Sequence, residues 1–230
     1  MTCTKVASTT GSDSASGTEA APFRTAEKLV GSLSSGQTGC LRAGTYSTDN
    51  QVKVSEAGIT LASYPGERAT LKTRLWIAQG DNDVTVQNLV LNGVNDSDLP
   101  SPTVNADDAV FRNNEVTNQH TAICFDLGSQ TYGRANGTLI EANRSHDCGS
   151  LPATNLDHGI YVARADYTVI RDNLIYRNAD RGIQLYSDAQ HSTITGNVID
   201  GNGQGILFAG ASGAKVRHVG RSRVVRVVPS

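Results

Sequence analysis

His120, Asp157, His158, Asp180 and Arg181 are the side chains of this 230-residue chain best suited to chemistry. An imidazole titrates near neutral pH and can take a proton from carbon. A guanidinium can grip a carboxylate in two-point fashion. Two aspartates could instead serve as a carboxylate pair at a glycosidic bond. His158 is therefore the candidate base and Arg181 the candidate carboxylate clamp, with His120 or Tyr161 as acid and Asp157 and Asp180 as the alternative pair. The same residues have a plainer reading. Asp-His-Gly and Asp-Arg-Gly are also turn sequences, in which Asp bonds backbone amides and Arg bridges to a neighbouring turn.

What must position these groups is a repeat. The blocks NLDHGIYV, ADRGIQLY and GQGILF place Gly159, Gly182 and Gly205 at intervals of 23 residues. Short period-2 apolar runs with Asn and Gly punctuation at such a period predict a β-solenoid, in which residues one period apart become neighbours. Aligning the blocks puts Ala122 with those three glycines. It stacks Thr121 with His158, Arg181 and Gln204, and His120 with Asp157, Asp180 and Gly203. Alternation along the strands turns Ile160, Val162, Ile183 and Leu185 inward, and Tyr161, Gln184 and Tyr186 outward as a sugar-binding platform. Asn88, Asn114, Asn143, Asn173 and Asn197 form a second column, read as structural. Asn tolerates left-handed backbone, and its amide can bond the one in the next coil. His146 and His191 fall in connectors and are expected to be solvated.

Residues 1–36 read as a cap. Thr2 to Ser8 can form a strand, and Thr25 can cap a helix whose Leu29, Val30 and Leu33 make one apolar face, with Gly36 beyond its end. Such a helix would cover the open edge of the first coil. Residues 37–210 hold the coils. Residues 211–230 are an atypical basic tail, read as either a surface-binding segment or an unnatural terminus on a truncated helix. Lys215, Arg217, Arg221, Arg223 and Arg226 give the tail +5, so the net charge of −2 leaves −7 on the body. An acidic body excludes nucleic acid as the main partner. No apolar run reaches the ~18 residues of a membrane span, and the N-terminus shows no signal-peptide pattern. Four widely spaced cysteines fit two disulfides in an oxidising compartment, the alternative being four reduced thiols. Chain order and coil alignment favour Cys3–Cys40 and Cys124–Cys148.

GSDSASGTEAAPFRTAEKLV and GCLRAGTY resemble the N-terminal cap and first coil of secreted right-handed parallel β-helix proteins of the pectate-lyase-like superfamily. The N-x-I and G-I-x-L rungs resemble the repeat region of the same proteins, so the resemblance spans residues 3 to about 210. It implies an all-β right-handed parallel β-helix, secreted and acting as a monomer, with polysaccharide as partner. The superfamily holds lyases, hydrolases, epimerases and non-enzymes, so the fold alone does not define an activity. The chain lacks the D-P-H-D run of mannuronan epimerases and the aspartate cluster with a lysine base of calcium-dependent pectate lyases. No cofactor is expected from the residues, and calcium remains compatible with the resemblance. The reading that follows is a lyase or epimerase on an acidic glycan. The alternative is a non-catalytic carbohydrate-binding or surface-display module.

Overall fold

The computed structural model describes residues 1–209 and the strand Arg223–Val225. The chain winds as a parallel β-solenoid with three faces. The first face is an eight-stranded sheet running from Lys5–Ala7 to Thr193–Thr195. The second and third faces begin joined, because Gly44–Val54 and Ala69–Ile77 each run across both. Beyond Ile77 they separate. The first half of Ala69–Ile77 pairs with Val90–Asn92, which opens the second face, and its last residues pair with Thr103–Val104, which opens the third. Later coils repeat that order, as in Val169–Arg171, Leu174–Tyr176 and Arg181–Gln190.

Every second side chain points inward, so Ile160, Val162, Ile183 and Leu185 are fully buried, as the alternation predicts. They belong to one apolar core that runs through the coils and includes Phe111 and Phe125 in edge-to-face contact. The helix forms as expected: Thr25 Oγ1 accepts the Lys28 amide, and Ala26, Leu29, Val30 and Leu33 are buried. The helix is short, Ala26–Val30, and ends at Gly31 rather than running on toward Gly36.

The asparagine column exists, with two corrections. Asn114, Asn143, Asn173 and Asn197 are buried, and each passes its amide to the next coil: Asn114 Nδ2 to Asn143 Oδ1 at 3.1 Å, Asn143 to Asn173 at 3.1 Å, Asn173 to Asn197 at 2.9 Å. Asn88 is not a member. Leu89 lies opposite Asn114, and Asn88 lies one residue earlier. The left-handed backbone also falls one residue earlier, at Asn88, Asn113, Ala142, Asp172 and Gly196. The asparagines are therefore kept for their amides, which bond the chain above and below, rather than for their tolerance of positive φ.

A second ladder, absent from the sequence reading, packs against Gly159 and Gly182. Asn178 Nδ2 donates to Asn202 Oδ1 at 2.8 Å at the corner between the second and third faces. A Cβ on Gly159 would sit 2.7 Å from Asn178 Nδ2, and one on Gly182 would sit 3.1 Å from Asn202 Nδ2. At Gly159 the ladder amide occupies the space of a Cβ, and at Gly182 Ile199 Cγ2 at 2.9 Å and Gly205 O at 3.0 Å crowd it before the amide does. One coil earlier Cys148 holds the asparagine position, its amide bonding Asn178 Oδ1 at 3.1 Å, and Cys124 holds the glycine position. The Cys124–Cys148 disulfide thus replaces an amide-over-glycine contact with a covalent bond. Cys3–Cys40 is the other bridge, so both expected pairings form.

The basic tail lies outside the described residues, except that Arg223–Val225 pairs in parallel with Val198–Asp200.

Candidate active site

Gly159, Gly182 and Gly205 stack, and with them His158, Arg181 and Gln204, as the repeat predicts. His120 does not join them. Phe125 pairs with Ile160, so Cys124 stands opposite Gly159 and the expected match of Ala122 to Gly159 is two residues out. That coil has no glycine to anchor an alignment, and a disulfide cysteine stands in its place. His120 instead sits at a turn with φ +61°, its Nδ1 3.1 Å from Gly149 O and its Nε2 3.7 Å from Asp147.

Asp157 and Asp180 are neighbours, but their oxygens hold backbone. Asp157 Oδ1 accepts the Ser150 amide at 3.0 Å, and Oδ2 accepts both the amide and the hydroxyl of Thr154, at 2.8 and 2.6 Å. Burial alone would raise its pKa, but these bonds outweigh burial and hold the carboxyl below the usual range. Asp180 Oδ2 accepts the Asp157 amide at 3.2 Å. Both act as caps for the 149–157 loop.

His158 and Arg181 lie under that loop. His158 is 2% exposed and its Nδ1 has no hydrogen-bond partner among the described residues. Burial, with the Arg181 charge beside it, pushes its pKa down to about 4, so the ring is neutral at pH 7. It packs on Tyr161 at 5.4 Å between ring centres. Arg181 is 8% exposed and is held by neutral acceptors: Asn155 O and Oδ1 at 2.7 Å each, Gln184 Oε1 at 3.1 Å and Gln204 Oε1 at 3.1 Å. The guanidinium is largely saturated, and Gln184 turns toward it and is buried with it. Tyr186 is exposed, at a bulge after Leu185. His191 lies in a turn stacked on Tyr167, and is exposed as expected. His146 is not solvated. It is 9% exposed, stacks on Tyr176 and faces Asp147 and Glu115.

Sequence reasoning named Tyr161 and Gln184 but missed the column they belong to and its other members. Lys53, Trp76, Thr103, Asp126, Tyr161 and Gln184 stand in successive coils as one outward column on the third face. Adjacent members are about 4.8 Å apart along the solenoid axis. Asp126 is half-buried, and its carboxylate accepts no hydrogen bond among the described residues. Burial raises its pKa to about 6, against the opposing pull of the Arg74 charge. Arg74 is anchored by Gln51 Oε1 at 2.7 Å and Thr103 Oγ1 at 3.3 Å, and its guanidinium lies over Trp76 at 5.3 Å. Burial, followed by the Asp126 and Tyr186 charges, raises the Tyr161 phenol, which stays protonated at neutral pH. Tyr132 meets Trp76 edge-on at 5.9 Å and is largely exposed. The signal for this column is alternation itself, once Phe125-Asp126-Leu127 is matched to Ile160-Tyr161-Val162.

Among the described residues no three His, Cys, Asp or Glu side chains converge to hold a metal ion, and Asp126 is the only carboxylate in its column.

A three-faced parallel coil with a polar outer column defines the class as a β-helix. The chain belongs to the family described as right handed beta helix region, whose model matches residues 76–219. Among solved structures it is similar to XylC in complex with xylose, at 12% identity and a TM-score of 0.62, covering 90% of this chain and 60% of that one. It is also similar to the pectate lyase Pel9A, at 14% identity and a TM-score of 0.50, covering 88% and 55%. At these identities the likeness is one of fold, and the chain spans about 60% and 55% of the two structures' lengths. No curated protein matches the sequence. No helix among the described residues is long and apolar enough to cross a membrane.

Proposed function

We propose that this β-helix acts outside the cell on an acidic polysaccharide, as a lyase or epimerase, with its chemistry at Asp126 rather than at His158. The observation that carries the reading is a carboxylate that accepts no hydrogen bond among the described residues and has a pKa of about 6, beside a protonated phenol one coil away and a guanidinium reaching across Thr103. The two disulfides suit an oxidising compartment.

In elimination, Arg74 neutralises the uronate carboxylate and so acidifies the C5 proton. Asp126 takes that proton, the C4–O bond breaks as the C4–C5 double bond forms, and Tyr161 protonates the departing oxygen. Asp126 then returns its proton to solvent and Tyr161 regains one, so no other reactant is consumed. In epimerisation, C5 is instead reprotonated from the opposite face. Hydrolysis by two carboxylates is disfavoured because Asp126 has no carboxylate partner in its column, while Asp157 and Asp180 are committed to the loop. His158 and Arg181 become positioning residues, supporting Tyr161 and Gln184 from below.

The test is product formation from acidic polysaccharides (polygalacturonate, alginate, glucuronan), followed by ultraviolet absorbance of the unsaturated sugar and by NMR of the C5 configuration. Asp126→Asn is expected to lower kcat by about 10²–10⁴-fold, and Arg74→Ala to lower kcat/KM by about 10–100-fold. Wild-type rates should rise with pH through about 6, as the Asp126 base ionises. Asp126→Asn with undiminished activity removes the assignment.

A further inference from the structure

At the corner between the third and first faces lies a cleft of about 300 Å³, lined by Gln79, Asn82, Asn105, Asp107, Arg134 and Asn136. It is separate from the Asp126 column but joined to it through one side chain, since Trp76 Nε1 donates to Asn105 Oδ1 at 2.9 Å. A third polar ladder builds it. Asn82 Oδ1 accepts the Asp107 amide at 3.0 Å, Asp107 Oδ1 accepts the Asn136 amide at 2.9 Å, and Asn136 Oδ1 accepts the Asp166 amide at 2.9 Å. Each of these side chains spends one oxygen on the backbone. What remains is an amide donor on Asn82, a carboxylate oxygen on Asp107 and an amide donor on Asn136, one to each coil. Gln79 is exposed and its amide makes no hydrogen bond among the described residues.

The charge here is opposite to that beside Asp126. Arg134 is the one cation of the lining and is already matched by two acids, Asp188 at 2.6 Å and Asp166 at 3.0 Å. Asp107 forms no ion pair among the described residues. Arg164 also lies 3.8 Å from Asp188, so Arg134 and Arg164 balance Asp166 and Asp188 and Asp107 is left as one uncompensated negative charge. That charge disfavours a uronate, whereas alternating donors and acceptors beside the Trp76–Tyr132 pair suit hydroxyl groups on a pyranose ring. We propose that this cleft is a subsite for a neutral sugar unit, so that the substrate is a heteropolysaccharide presenting an acidic residue to Asp126 and Arg74 and a neutral residue to Gln79 and the Asn82–Asp107–Asn136 ladder. This substrate class rests on the activity proposed above, but the cleft can be tested apart from it.

Trp76 is the chain's single tryptophan, so its fluorescence reports on both places. The full chain carrying Asp126→Asn, which leaves the cleft intact and suppresses turnover, is titrated with neutral hexaoses (gluco-, xylo-, manno- and galacto-configured) and with uronate oligomers. At least one neutral hexaose should quench Trp76 saturably. Adding Gln79→Ala should weaken that binding about five- to tenfold and leave uronate binding unchanged. Adding Arg74→Ala should do the reverse. The inference is overturned if no neutral hexaose perturbs Trp76, or if neutral binding is indifferent to Gln79→Ala. Failure of the activity proposal reads out elsewhere, as wild-type protein that yields neither unsaturated nor epimerised sugar.

Discussion

Two polar groups lie side by side on the third face and end in opposite chemical states. At the Asp157–His158–Arg181 corner both Asp157 oxygens and Asp180 Oδ2 hold backbone amides, the guanidinium meets four neutral acceptors and the imidazole is buried and uncharged. At Asp126 the carboxylate accepts no hydrogen bond among the described residues, is half-buried and is poised near pH 6. The corner has the richer residue types, yet its groups are spent on holding the 149–157 loop. Residue type sets what chemistry is available, and satisfaction of hydrogen bonds decides which groups are left to do it.

The sharpest way to break this contrast is to loosen the corner. Cys124→Ala with Cys148→Ala removes the covalent rung on which the Asn178 ladder rests, and should cost about 2–4 kcal/mol in denaturant unfolding. If the corner is only a support, residual activity should follow the folded fraction. Activity lost from fully folded double variant would put chemistry back at the corner.

A smaller effect separates the two groups by pH. His158 has its folded pKa depressed from 6.5 to about 4, so the native state resists protonation. Its contribution is complete above pH 6.5 and is lost as pH falls toward 4, on the order of 2–3 kcal/mol. His158→Leu should flatten that part of the stability profile and change kcat less than tenfold. A loss of kcat as large as that of Asp126→Asn would restore His158 as the base.

Asp126 has the reverse sign. Its folded pKa is raised from 3.8 to about 6, so stability is highest below pH 4, falls as pH rises to 6 and stays lower above. Asp126→Asn should therefore stabilise the protein at pH 8 by about 1–2 kcal/mol, measured by urea unfolding. A destabilised variant would mean that the carboxylate is held by the fold rather than strained by it.

The 23-residue glycine spacing, the alternating Ile and Leu positions and the capping helix were all legible in the chain, because a solenoid repeats its local environment and so repeats its residues. Both disulfide pairings were legible from chain order and the stacking of coils. Read without coordinates, the coil from Asn114 to Leu127 went wrong by two residues, since Cys124 interrupts the glycine pattern and so moved His120 into a stack it does not join. That slip also hid Asp126, which carries no motif of its own.

The order of apolar and turn residues in the chain determined by itself that the backbone coils, which residues face inward, and that Asp157, His158, Asp180 and Arg181 become neighbours. Only the tertiary structure decided which polar groups stay unbonded. Hydrogen-bond partners come from loops of unequal length, such as Ser150, Thr154 and Asn155, and no period in the sequence encodes where such a loop folds back.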